Sequence, residues 1–288
     1  MTTNGREYSG DGVPSDPNEQ PTQARSIESA EGTTIDSGKA SWLFAPAHGG
    51  RLESWQWRTL PPAEALHPST RHSPPRPFEL VERSHGALVD HFLPLGTTYE
   101  EFAESKNREF GNFMDAPYTS EVADLGGEVR INMVRDGVIR AGKREAEVRV
   151  MKSAGARSGS SDLSVLYRVI NSSMRPIQIL FAVEYNLCVP VTGAEPPAEG
   201  RGVYMVDGAY PDDPSLSSVG RSVGATSMAL ANPQAEMALQ LGWDRECDLW
   251  RMPASGQASA EAVRVVAVWR LSIAPDDNWA LGLWLAPG

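Results

Sequence analysis

The chain has 288 residues and a formal charge of −11, with 37 Asp and Glu against 26 Lys and Arg. That length leaves room for a sizeable core in one large domain or two small ones. An acidic chain with no basic face argues against nucleic acid and against an anionic membrane surface as partners. Two cysteines, Cys188 and Cys247, are too few for a disulfide framework. No CxxC or Cys/His cluster offers a metal site, so neither metal nor cofactor is expected. No apolar run approaches the roughly 20 residues of a membrane helix, and the N-terminus lacks the basic-then-apolar order of a signal peptide. A soluble, cytoplasmic chain is expected.

Residues 1–40 hold no Trp or Phe and only scattered aliphatic residues among Gly, Pro, Ser, Thr and acids. Such a segment buries too little apolar surface to offset its ordering entropy, which predicts a disordered tail. Residues 41–288 then form the domain. Pro61 to Pro77 carries six prolines and reads as an extended loop. Thr98 and Glu101 have capping-box spacing, with Tyr99, Phe102 and Ala103 on one face of a short helix that Gly111 would stop. Period-two alternation begins at Val129, Ile131 and Met133, and Asp136-Gly137 signals a hairpin. It resumes through Ala146, Val148 and Val150. A loose Ser/Gly stretch from Ser153 to Ser161 follows. Leu163 to Val169 and Ile177 to Leu187 alternate again, separated by a turn over Asn171 to Pro176. Thr192 to Ser227 is rich in Gly, Pro, Asp and Ser and reads as loop. Met237 to Trp243, Val263 to Ile273 and Trp279 to Leu285 complete the strands. So many alternating segments around one short helix predict an all-β fold, a large antiparallel β-sandwich with one face of each sheet buried.

Motifs for common catalytic chemistries are missing. No phosphate loop, dinucleotide-binding GxGxxG, HExxH or GxSxG is present. The five histidines, His48, His67, His72, His85 and His91, show no ligand-like spacing, and His67 and His72 read as exposed loop residues. Asn171-Ser172-Ser173 has the form of a glycosylation sequon but reads more simply as a turn.

Three segments carry a resemblance. The first, Phe44-Ala45-Pro46-Ala47-His48-Gly49-Gly50-Arg51-Leu52-Glu53-Ser54-Trp55, is a strand, a Gly-Gly turn and a strand. The second is Leu88-Val89-Asp90-His91-Phe92-Leu93, continued by Thr98 to Phe102 and Gly111-Asn112-Phe113. The third is Leu166-Tyr167-Arg168-Val169 with Phe181-Ala182-Val183-Glu184-Tyr185-Asn186-Leu187. In this order they resemble the C-terminal β-sandwich of family 57 glycoside hydrolases, the α-amylases and 4-α-glucanotransferases, over roughly residues 42 to 288. Related sandwiches include the galactose-mutarotase-like supersandwich. Full-length relatives carry an N-terminal (β/α) barrel with a catalytic Glu nucleophile and an Asp acid, and no residue here matches either.

The resemblance implies a carbohydrate-associated module of α-glucan metabolism that has no glycosidase activity of its own. Its partners would be an α-glucan or other carbohydrate, or a separate catalytic barrel subunit. Alternatives are a mutarotase- or epimerase-like enzyme using His91 and Glu184, and a structural docking subunit of a split glycosidase. The candidate carbohydrate-binding or interface residues are Trp55, Trp57, Asp90, His91, Glu184 and Asn186. Asp90 and His91 are neighbours on a strand, so their side chains point to opposite faces. Glu184 and Asn186 share a face and could grip sugar hydroxyls. Glu53, Asp90 and Asp115 are carboxylates that could partner Glu184. Trp55 and Trp57 share a face and could stack on a sugar ring, although core packing is the plainer reading. Gly49-Gly50 is a structural turn.

Overall fold

The computed structural model describes residues 23–58, 79–80, 86–189, 202–232, 237–254 and 261–288. The strands are β1 (Arg25–Glu28), β2 (Thr33–Asp36), β3 (Ala40–Ala45), β4 (Arg51–Trp57), β5 (Glu79–Leu80) and β6 (Ala87–Leu93). A single short helix, α1 (Tyr99–Ala103), precedes β7 (Thr119–Asp124), β8 (Glu128–Ala141), β9 (Arg144–Arg157), β10 (Leu163–Asn171) and β11 (Ile177–Val189). Then come β12 (Val203–Val206), β13 (Gly220–Asn232), β14 (Met237–Pro253), β15 (Glu261–Ile273) and β16 (Asn278–Pro287).

The strands pair in the order β1-β2-β3-β4-β6-β11-β15-β14-β16-β10-β9-β8-β7. The pairings are antiparallel. Strand β14 bends the path over. Its residues 248–253 pair with β15 and its residues 239–243 pair with β16. The sheet therefore folds onto itself as two facing layers. Tyr167 of β10 meets Phe181 of β11 across the interior, with ring centroids 5.8 Å apart. Period-two alternation explains the core between the layers. Val129, Ile131 and Met133 of β8, Val165 and Val169 of β10 and Val183 and Tyr185 of β11 are all buried. Each such aliphatic side chain contributes roughly 1.5–3 kcal/mol by leaving water. The antiparallel sandwich expected from the alternation is thus the observed fold. A second, smaller cluster lies on the outer face of the β11–β15 layer, where Phe102 of α1 packs against Leu93, Ala182, Trp250 and Val266.

Several local expectations need correction. The tail does not extend to residue 40, because β1 and β2 join the sheet; residues 1–22 lie outside the described residues. Ladder hydrogen bonds and ion pairs hold this segment, and hydrophobic content does not report either. Asp36 is buried and bound by Arg25 and Arg58, at 3.3 and 2.9 Å. Asp136-Gly137 is not a hairpin turn. Strand β8 runs through it to Ala141, and Gly142, at φ +66°, makes the turn. A Cβ on Gly137 would fall 2.6 Å from both Phe113 Cζ and Asn112 Oδ1, so this glycine serves close packing. Strand β9 runs on through Ser153 to Arg157. Helix α1 ends at Glu104, followed by Ser105 at φ +55°, rather than at Gly111. Within Thr192 to Ser227, β12 and the start of β13 are strand. The Pro61 to Pro77 segment, His67, His72 and His85 lie outside the described residues.

Candidate functional site

The two faces of β6 carry two different polar clusters. Between Val89 and Ala87 the β6–β11 register slips, and Leu88 is the extra residue of a β-bulge, at φ +62°. The Leu88 carbonyl turns inward and accepts from Lys152 Nζ at 2.9 Å. The same ammonium donates to Gly49 O at 2.8 Å and contacts Asp90 Oδ2 at 2.9 Å. Gly49, at φ +71°, allows this turn, since a Cβ there would lie 2.2 Å from the Met114 carbonyl oxygen. The Tyr118 hydroxyl donates to Asp90 Oδ2 at 2.7 Å. Both charged side chains are fully buried. Burial pushes the Asp90 carboxyl up and the Lys152 ammonium down, while their mutual attraction opposes both shifts. This pair ties β6 to β9 through the core.

On the other face, His91 lies between two carboxylates. Its Nδ1 is 2.9 Å from Glu109 Oε2, and its Nε2 is 3.3 Å from Glu184 Oε2, out of hydrogen-bond alignment. The other Glu109 oxygen accepts the Phe92 and Gly111 backbone N–H groups at 2.8 and 3.0 Å. Glu184 Oε1 accepts from Asn186 Nδ2 at 2.6 Å. Phe102 of α1 covers the imidazole edge-on, with centroids 5.3 Å apart. Burial disfavours the imidazolium, but the hydrogen bond to Glu109 and the nearby Glu184 carboxylate outweigh it and push the His91 pKa up to about 9. Burial also raises Glu184, yet His91 and Asn186 hold its carboxyl below the usual range. His91 is therefore a cation near neutral pH, and such a group is no general base.

The same outer face opens into a cleft of about 540 Å³ beside the segment leading into α1. It forms where β14 leaves β15 to join β16. Leu95, Leu180, Trp250 and Val268 give it apolar walls, and Arg221, Arg245, Glu246, Asp248 and Arg270 give it a polar rim. Arg221 grips Asp248, with Nε 2.7 Å from Oδ1. Arg270 reaches the Leu95 carbonyl only at 3.5 Å and is otherwise exposed. Cys247 lines the cleft as a free thiol, but burial pushes its pKa up to about 12, so it is not a thiolate nucleophile.

Of the sequence candidates, His91, Glu184 and Asn186 come together, and Asp90 lies across the strand from them, as alternation requires. Trp55 is buried in the main core and offers no ring face. Trp57 packs on it edge-on at 4.5 Å and donates to Ser161 O. Glu53 and Asp115 flank Arg51 instead of meeting Glu184. Asn171 is buried and donates to Arg175 O and Ile273 O, so it holds the predicted turn. Sequence reasoning missed Glu109, Lys152 and the cleft arginines. Lys152 alone had a signal, since the alternation of Val148 and Val150 continues to it. Among the described residues, no group of His, Cys, Asp or Glu could hold a metal ion, and no helix is long and apolar enough to cross a membrane.

Solved structures share this architecture. A galactose mutarotase-like protein from Clostridium acetobutylicum superposes with a TM-score of 0.60 at 11% identity, covering 92% of this chain and 99% of that one. The 4-alpha-glucanotransferase of Thermococcus litoralis superposes with a TM-score of 0.58 at 15% identity, covering 92% of this chain but 39% of that one. The fold is thus a galactose-mutarotase-like β-supersandwich. In sequence, an alpha-amylase of Pyrococcus furiosus is 32% identical over 123 residues, which is 43% of this chain and 16% of that one. Residues 82–261 match the family described as alpha-amylase/4-alpha-glucanotransferase, C-terminal, and the chain belongs to that family. It spans well under half the length of the amylase and the glucanotransferase.

Proposed function

We propose that this domain is a carbohydrate-associated module of α-glucan metabolism, of the family 57 glycoside hydrolase type, that binds α-glucan and has no glycosidase activity of its own. The observation that carries the reading is the cleft on the outer face of the β11–β15 layer. Arginine donors and carboxylate acceptors there rim an apolar floor, and its volume of about 540 Å³ suits a small ligand. Such a surface matches sugar rings, which present hydroxyls at their edges and C–H groups on their faces. The absence of own catalysis is supported by Glu184, whose carboxylate is engaged by His91 and Asn186 beneath α1. The burial of both side chains beneath Phe102 of α1 argues against a mutarotase or epimerase using His91 and Glu184 as acid and base. A cytoplasmic setting belongs to this reading and is supported by the free thiol of Cys247.

Calorimetric titration with maltoheptaose tests it. Binding is expected, and Arg270→Ala should weaken the cleft at least about fivefold, because a charged donor to a hydroxyl is lost. No detectable binding sinks the reading. Maltooligosaccharide hydrolysis or chain-length redistribution that disappears in Glu184→Gln overturns the non-catalytic part. A second reading is docking against a separate (β/α) barrel subunit. It is favoured by the much greater length of the relatives that the chain matches. Co-purification of the chain with such a subunit is its test.

A further inference from the structure

The outer face of the layer that holds β16 and β10 has a feature that the cleft does not explain. Trp284 of β16 is the largest hydrophobic side chain left exposed among the described residues, at 41%. It lies opposite Gly242 of β14. A Cβ on Gly242 would fall 1.9, 2.1 and 2.5 Å from Trp284 Cζ2, Cε2 and Cη2. Three atoms of one six-membered ring at such similar distances put the face of the indole, rather than its edge, over the glycine. One ring face is thus closed by the β14 backbone, while 41% of the residue's surface stays in solvent.

The neighbours of the ring follow from the register. Ser164 lies beside Trp284 on β10, and Gly155 of β9 lies beyond it. In the next row Gly282 pairs with Leu166, and Leu166 with Ser153. This row and the one after it line a trough of about 480 Å³ with Asn132, Ser153, Leu166, Arg168, Asp244 and Gly282. Asp244 and Arg168 are exposed, and among the described residues neither side chain has a hydrogen bond or ion pair. A flat ring beside a trough with unengaged charges of both signs does not suit an apolar protein partner. It suits a ring with C–H groups on its face and hydroxyls at its edge.

We propose that this face is a second carbohydrate-binding site. One glucosyl ring of an α-glucan stacks on Trp284, and hydroxyls of an adjoining ring reach Asp244 and Arg168 in the trough. The choice of α-glucan rests on the proposed function; the site itself is separate from the cleft. Maltoheptaose titrated into the full chain is expected to fill two sites. Trp284→Ala should remove one of them or weaken it about tenfold, the scale of a lost aromatic stacking contact. Trp284→Tyr should retain most of that affinity. Gly242→Val lifts the indole off the backbone and should act like Trp284→Ala, with the cleft site intact in both. Arg270→Ala should leave the Trp284 site unchanged. If the wild-type chain binds in the cleft alone and Trp284→Ala titrates identically, the second site is refuted and the proposed function stands. If sedimentation shows that Trp284→Ala instead dissolves a dimer without altering glucan binding, the face is an interface and the proposal is overturned. If no variant or wild-type chain binds, both readings fall together.

Discussion

Among single side chains, His91 couples the fold most directly to pH. In an unfolded chain an imidazole titrates near 6.5, whereas the folded His91 is held at about 9 by Glu109 and Glu184. The stabilisation is therefore complete below pH 6.5 and is lost as pH rises through 9. Urea denaturation should show stability falling over this window by up to about 3 kcal/mol, with His91→Gln flattening the slope. An unchanged slope in that variant would show that another group is responsible. Glu184 acts in the opposite direction, because its folded pKa is held down. Its contribution is present above the ordinary carboxylate pKa and fades as pH falls below it. Much of this cluster was legible in the sequence. Period two put Asp90 and His91 on opposite faces, and it put Glu184 beside Asn186. Glu109 was not legible, because it reaches His91 from an irregular segment whose path no periodicity encodes.

Helix α1 shows how a short element can cover a site. Five residues are too few for a self-sustaining helix, so its cap and its packing must hold it. The Thr98 side chain accepts from Glu101 N at 3.3 Å, and Glu101 Oε2 accepts from Thr98 N at 3.2 Å. Arg264 of β15 donates to the Phe102 and Ala103 carbonyls at the C-terminal end. Phe102 then seals the imidazole of His91. Thr98→Ala should cost about 1 kcal/mol and speed amide exchange across residues 99–103, while Thr98→Ser should keep both near the wild type. Unaltered exchange in Thr98→Ala would mean that Phe102 packing alone holds the turn. The capping box was readable because its signal is local. The strand character of Thr33–Asp36 was not, because its support comes from β3 and from Arg58. Asp136-Gly137 misled for a related reason, since a glycine that accommodates a neighbouring ring looks the same in sequence as one that turns the chain.

Across the whole molecule, alternation predicted how many faces are buried but not the path of the sheet. Nothing local in β14 announces that its two halves pair with strands in different layers. What joins the layers away from that corner is visible only in three dimensions: Lys152 of β9 reaches through the core to Asp90 of β6 and to the carbonyls of Gly49 and Leu88. Removing one member of a fully buried ion pair leaves the other charge uncompensated, which costs about 3–5 kcal/mol. Lys152→Met and Asp90→Leu should each destabilise on that scale. For a domain of this size the melting temperature falls by about 2–4 °C for each kcal/mol. Replacing both removes the orphaned charge, so Lys152→Met/Asp90→Leu should be less destabilised than either single variant. If the double variant instead loses the sum of the two, each residue acts through its own contacts. The bonds of Lys152 to Gly49 and Leu88, rather than its pairing with Asp90, would then be what fastens the two layers.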